Sequence, residues 1–304
     1  MTRATLESVA SALGISPMTV SRYLSKPESV SAKMRERVNA ELKRQHYQPN
    51  FAARQLASSR SGVIGIIVPS LANQVFADVV RGVTDALSTA LPISVVSTDY
   101  DRDAEQRSVD SFENQGAAGI IWVKNHEIDL PASVPVLTIM DSESDVGFDH
   151  ITAANTAVTH LKRKGANHIA VLTAGNDPRA GVRSAAAREC GATIFSTDQT
   201  SDVETGRLLA NKALSAGHDG LFCNNDDIAL GALFECIAQG ISVPAQVQIC
   251  GFNNLSFSSA TEPSLTTIAV PRYEIGQIAG EALLKPRERV MLAPKLVVRG
   301  STRP

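Results

Sequence analysis

Arg22, the hydroxyls of Thr19 and Ser21, and the thioether of Met18 fall within one short stretch, a mix suited to reading base edges in a nucleic-acid groove. A guanidinium fork can address guanine O6 and N7, while small hydroxyls hold phosphates. Such side chains work together only if one rigid element presents them. Pro17 fits a first helical position with Ser16 as its cap, and on the helix that follows Val20 and Leu24 face inward, leaving Met18, Thr19, Ser21 and Arg22 outside. Just ahead, Leu6, Val9, Ala10 and Leu13 make an apolar stripe that begins after Thr5, an N-cap residue, and stops at Gly14. Two helices joined by a tight turn, with the polar set on the second, are the geometry that enters a major groove.

Charge supports a polyanionic partner. Residues 1–60 hold ten Lys/Arg against four Glu, a net +6, whereas the whole chain sums to −2, so the remainder carries −8. A basic segment on an acidic body attracts phosphate without regard to sequence. A third helix is expected from Ser31 as cap through Met34, Val38 and Leu42, ending near His46–Pro49. Asn50–Ser58 is helix-compatible but short and nearly without an apolar face, so it should not be stable alone.

On these residues, 3–61 resemble the headpiece and hinge of the lactose/purine repressor family, and the rest of the chain resembles that family's core. The resemblance implies double-stranded operator DNA as partner. It places Thr5, Leu6, Ser16, Pro17, Ser31, Lys33 and Tyr47 of the headpiece at the duplex beside Met18, Thr19, Ser21 and Arg22. It adds Asn50 and Arg54 of a hinge that folds on the operator. Leu56 matches the leucine that such repressors drive into the minor groove, where an apolar wedge kinks the duplex.

From Ser61 onward, apolar runs at 63–68, 93–96, 118–123, 134–139, 168–172, 220–223 and 247–250 alternate with amphipathic stretches such as 76–87, 154–164, 203–216 and 228–239. Repeating strand-helix units over this length exceed one open sheet, so we expect an α/β core of two lobes, like the periplasmic sugar-binding proteins, with a cleft between them. The expected organisation is a helix-turn-helix headpiece at 1–48, a hinge at 49–60 and an effector-binding and dimerisation core at 61–304.

Open α/β sheets bind ligands at the carboxyl ends of their strands. The loop after the first core strand therefore offers Ser70, Asn73 and Phe76, the last equally at home in a core, and Asp141 follows a later strand, as a ligand contact or an exposed turn residue. By resemblance Arg183 matches the family's effector arginine, with Arg179 one turn before it; a solvated pair of charges is the alternative. Asn225 matches the family's effector asparagine and also suits a helix cap. Asn253 departs from the lactose and purine types, which carry aspartate there. A carboxylate about 4 Å from an aspartate would be repelled by roughly 4 kcal/mol at an effective dielectric of 20, and asparagine removes that cost. The loops at 69–76, 140–149 and 222–236 resemble those of the gluconate and idonate repressors of the family, which implies a small sugar-acid effector that releases the operator. A neutral sugar, a corepressor or a phosphorylated partner protein stay open. Ala186-Ala187 stands where the family usually has Gly-Phe, and the loops near 124–133 and 190–200 are short.

Other classes find no support in the sequence. Cys190, Cys223, Cys236 and Cys250 lack CxxC spacing, the six histidines lack metal-ligand spacing, and no phosphate loop or nucleophile elbow occurs, so neither a metal, a cofactor nor catalysis is expected. Without an eighteen-residue apolar run or a signal peptide, a cytoplasmic protein with no membrane contact is expected. Two-fold symmetry would double the bases read by one headpiece, which makes a homodimer the expected assembly.

Overall fold

The computed structural model describes residues 4–25, 27–47, 62–87, 91–285 and 287–304. The chain divides into two units, Met1–Ser59 and Arg60–Pro304. In the first, α1 (Leu6–Leu13), α2 (Pro17–Ser25) and α3 (Ala32–Arg44) surround a small core in which Val9, Ala10, Val20 and Val38 are buried. The starts follow from their caps. The Thr5 hydroxyl accepts from the Ser8 N–H at 3.1 Å while the Ser8 hydroxyl accepts from the Thr5 N–H at 3.0 Å, a reciprocal box, and Ser16 Oγ accepts from the Thr19 N–H at 3.2 Å. Gly14, at φ +66°, ends α1 with its N–H on the Ala10 and Ser11 carbonyls. Arg37 donates to the Leu13 carbonyl at 3.1 Å, tying α3 to the end of α1.

Some headpiece expectations need correcting. Ser31 precedes α3 but makes no side-chain capping bond. Thr19 is half-buried, its hydroxyl 3.0 Å from Ser16 Oγ, because it completes the cap instead of standing clear of it. Leu6 and Tyr47 pack partly against the headpiece core, so only their outer edges are open to a duplex. Asn50, Arg54 and Leu56 lie outside the described residues.

Among the described residues the second unit holds two large sheets, the first parallel and the second parallel but for one edge strand, and a two-stranded sheet beside them. The first, in strand order β2-β1-β3-β4, is built from β1 (Ile64–Val68), β2 (Ile93–Ser97), β3 (Gly119–Trp122) and β4 (Val136–Thr138). Its helices are α4 (Gln74–Leu87) and α5 (Arg102–Asn114). After β5 (Val146–Phe148) the chain passes through α6 (His150–Arg163) into the second lobe. There β6 (Ile169–Ala174), β7 (Thr193–Thr197), β8 (Gly220–Cys223), β9 (Gln248–Asn253) and β10 (Thr266–Ala269) alternate with α7 (Pro178–Glu189), α8 (Val203–Ser215) and α9 (Asp226–Ala238). The chain then returns through α10 (Arg272–Leu284), which packs on α4, and β11 (Val290–Leu292), which pairs with β5. Finally β12 (Lys295–Val297) joins the second sheet antiparallel to β10, giving the order β12-β10-β9-β8-β6-β7.

Glycines set the closest helix contacts. A Cβ on Gly231 of α9 would stand 2.1 Å from the Val203 carbonyl of α8, and one on Gly276 of α10 would stand 2.2 Å from the Val79 carbonyl of α4, so both pairs need a bare backbone. In each large sheet the strand order reverses beside its first strand, between β1 and β3 and between β6 and β8. A crevice opens at such a switch point, beyond the carboxyl ends of the strands. Among the described residues no helix is long and apolar enough to cross a membrane, and no group of three or more His, Cys, Asp or Glu could hold a metal ion.

Candidate functional site

The strand ends of both lobes converge on a cavity of about 660 Å³, within the range of small-molecule sites. Ser70, Asn73 and Phe76 reach it from the loop after β1 and the start of α4, Arg179 and Arg183 from α7, Asn225 from the start of α9, and Asn253 from the end of β9. Phe76 is also buried in the main core, so it lines the cavity as part of that core. Asp141 is not on the cavity wall. Its carboxylate turns instead to Arg179, 3.3 Å away, because a buried cation needs a counter-charge.

Neither arginine is a solvated charge: both are buried. Asp177, the N-cap of α7, pairs with both, 3.0 Å from Arg179 Nε and 3.8 Å from Arg183 Nη2. Burial pushes the Asp177 carboxyl up, but the two arginines outweigh it and hold the group below its ordinary range. Burial lifts Asp141 above the ordinary range despite Arg179. Arg183 is pulled down to about 10 by burial, against the pull of Asp177, and remains a cation at neutral pH.

Three neighbours orient Arg183. Its Nε donates to Asn224 Oδ1 at 3.2 Å, its Nη2 to the Asn224 carbonyl at 3.2 Å, and its Nη1 to His150 Nδ1 at 3.0 Å. His150 Nε2 donates to the Met140 carbonyl at 2.9 Å, which leaves Nδ1 as the acceptor that Arg183 meets. Burial, reinforced by Arg183, takes the imidazole down to about 3, so the ring is neutral and the arrangement consistent. The guanidinium also lies over the Phe252 ring, 4.4 Å from its centroid. Of its five N–H groups three are bonded within the protein, leaving one on each Nη for a ligand acceptor.

The asparagines divide their duties. Asn225 caps α9, its Oδ1 taking the Ile228 N–H at 2.7 Å, and its amide donates to Ser201 Oγ at 2.6 Å, so it presents Ser201 to the cavity as much as itself. Asn253 sits at φ +104°, rare for any side chain but glycine, with its carbonyl held by Arg272. Arg272 is anchored in turn by Asp78 of α4 at 2.8 Å. Asp226 secures the neighbouring loop by accepting from Leu255 N–H, Ser258 Oγ and Thr267 Oγ1. Fully buried, its carboxyl is pushed up to about 6, less than burial alone would give because those three bonds favour the charged form.

Sequence reasoning missed Tyr100, Asp177, His150 and Asn224. Tyr100 follows β2 in the left-handed region, φ +62°, and the strand-end rule that singled out Ser70 would have found it. The same rule reaches Asn224, directly after β8, and Asp177 before Pro178 carries a helix-cap signal, whereas His150 has none short of the fold.

Residues 5–50 match the family described as bacterial regulatory proteins, lacI family, and residues 158–302 match a periplasmic binding protein-like domain. The HTH-type transcriptional regulator GntR of Escherichia coli (strain K12) is 34% identical, with 99% of this chain and 97% of that protein covered. The chain belongs to the lacI family. A second relative, the HTH-type transcriptional regulator IdnR of Escherichia coli (strain K12), is 33% identical over 93% of this chain and 91% of its own. Among solved structures, a LacI-family transcriptional regulator from Silicibacter pomeroyi superposes with a TM-score of 0.80 at 30% identity, covering 99% of this chain and 100% of that one. The lac repressor dimer bound to operator and the anti-inducer ONPF gives 0.85 at 26% identity, with both chains fully covered. The chain is thus a LacI-family transcriptional repressor, and its relatives are regulators rather than enzymes.

Proposed function

We propose that this repressor controls a sugar-acid catabolic operon of the gluconate or idonate type, binds its operator as a homodimer, and releases it when a hexonate occupies the cavity. The observation that carries the reading is Arg183, a buried cation at the wall with two N–H groups to spare, where a carboxylate can be taken in bidentate fashion. Asn253 supports it by offering an amide where an aspartate would repel the same anion. The polyol end has Asp202, Asp227, Ser70 and Asn73 as hydroxyl partners. The headpiece at 1–48, hinge at 49–60 and core at 61–304 then share the work, and release needs a coupling of only about 1–3 kcal/mol between ligand and DNA.

Thermal unfolding with gluconate, idonate, glucose and gluconolactone tests the ligand class. A hexonate at a hundred times its dissociation constant should add about 2.7 kcal/mol of stability. Silence from both hexonates overturns the reading. A shift with glucose alone would favour a neutral sugar, the reading that the wall carboxylates Asp202 and Asp227 support.

Base reading is tested separately. Arg22 and Met18 are exposed on α2, and Lys33 is exposed on α3. Arg22→Ala should lose about 1–3 kcal/mol on the operator and little on random duplex, if its fork reads a guanine. Lys33→Ala should weaken both alike. Fluorescence anisotropy at fixed salt measures the difference, and equal losses for Arg22 would make it a phosphate contact.

A further inference from the structure

Arg179 and Arg183 stand one turn apart on α7 and line the same cavity, yet their partners belong to different lobes. The hydrogen bonds of Arg183 stay in the second lobe, on Asn224 and His150. Arg179 reaches across. Its Nη1 donates to the Lys124 carbonyl at 3.0 Å and to Asp141 Oδ2 at 3.3 Å, and its Nη2 to Asn125 Oδ1 at 2.6 Å. All three acceptors lie just past the carboxyl ends of β3 and β4 in the first lobe. Only the Nε contact, to Asp177 Oδ1 at 3.0 Å, stays at home.

The receiving loop is itself anchored. Asn125 donates to the Val123 carbonyl at 3.2 Å and to the carboxylate of Glu105, a fully buried residue on α5. The guanidinium therefore ties α7 of the second lobe, through Asn125, to the interior of the first. Its cross-lobe bonds include one to a carboxylate, and with both Asp177 and Asp141 close by, the charge of Arg179 is matched within the protein.

We infer that Arg179 is a positioning residue: it fastens the two lobes to each other at the separation where Arg183 meets the ligand, and Arg183 alone takes the anionic group. This rests on the cavity being the effector site, though the fastening itself exists without any ligand. Entry of a ligand then requires the Arg179 bonds to the first lobe to open and re-form. Each guanidinium makes three hydrogen bonds, but Arg179 also lies within 3.0 and 3.3 Å of two carboxylates and has little charge to offer a third, whereas the carboxylate nearest Arg183 is 3.8 Å away.

The test uses the full-length protein. Small-angle scattering of the ligand-free chain should show a larger radius of gyration for Arg179→Gln and for Asn125→Ala than for the wild type. Emission of Trp122, the only tryptophan and buried on β3 two residues before Lys124, should become more accessible to acrylamide in both. Arg179→Lys keeps a charge for Asp177 and Asp141 but lacks the fork, so it should fold and fall between. With gluconate as the probe, stopped-flow binding should give association and dissociation both about tenfold faster in Asn125→Ala, with the preference for gluconate over glucose retained. Unchanged scattering and quenching in Asn125→Ala and Arg179→Lys overturn the inference. So does loss of the gluconate preference in Arg179→Lys at wild-type scattering, which would make Arg179 a ligand contact. If the wild type ignores gluconate, the sugar-acid reading fails while the ligand-free arm still decides the fastening.

Discussion

Arg183→Gln should cost about a hundredfold or more in hexonate affinity while operator affinity stays within twofold of the wild type. Removing a buried, charge-assisted bidentate donor forfeits about 3 kcal/mol, the upper part of the range for hydrogen bonds to charged groups. The protein should survive the change, because Asp177 keeps Arg179 at 3.0 Å and is not left as a lone buried carboxylate. Glutamine can still donate toward Asn224 Oδ1 or His150 Nδ1, the two side-chain acceptors that Arg183 serves. What is lost is the cation and the second N–H. Calorimetry with gluconate and anisotropy with operator measure the two affinities on one preparation. A dissociation constant unchanged within a few-fold would remove Arg183 from the ligand and leave it as a strut for His150.

The strand-end rule made Ser70 and Asn73 legible, because they follow a buried apolar run, the strongest pattern in an α/β chain, whereas Arg183, Asn225 and Asn253 are named by the family resemblance. The same rule misplaced Asp141. It fixes the end of the sheet from which a side chain departs, while the charge it finds across the cleft fixes where it points, and Arg179 lies 38 positions away in sequence. His150 was opaque for a related reason. Nothing near it in sequence distinguishes it from the other histidines, and only the fold sets its ring beside Phe148, at 4.1 Å between centroids, with its Nδ1 on Arg183. Among the strands, Thr193–Thr197 escaped because its edge position leaves polar residues where a buried run was sought. Val290–Leu292 and Lys295–Val297 escaped because three residues are too few for a period to show. The headpiece was read almost entirely from caps and stripes, since Thr5, Gly14 and Ser16 act locally. Leu6 packs partly into the headpiece core, as its place in the apolar stripe implies, while the partial burial of Tyr47 depends on tertiary packing.

Asn253→Asp should reverse the ligand preference of the cavity. The substitution is nearly isosteric, and the backbone it needs is already secured: φ +104° is held by Arg272 on the carbonyl, and Asp78 holds Arg272. Asparagine and aspartate tolerate positive φ better than other side chains, so the fold has little to lose. What changes is the charge and one amide donor. A hexonate carboxylate held by Arg183 at about 4 Å from the new aspartate would meet a repulsion of as much as roughly 4 kcal/mol at an effective dielectric of 20, close to a thousandfold in affinity. Glucose or gluconolactone carries no charge and can donate hydroxyls to the carboxylate, so neutral ligands should hold or gain. Salt separates this from a packing defect, because raising ionic strength from about 0.1 M to 1 M shortens the screening length from about 10 Å to 3 Å and should recover part of the gluconate affinity wherever solvent reaches the pair. Calorimetry on both proteins with gluconate and glucose gives the ratio directly. Should the aspartate variant bind gluconate as tightly as the wild type, the anion does not approach Asn253, and the asparagine is there for hydrogen bonding to a neutral part of the ligand.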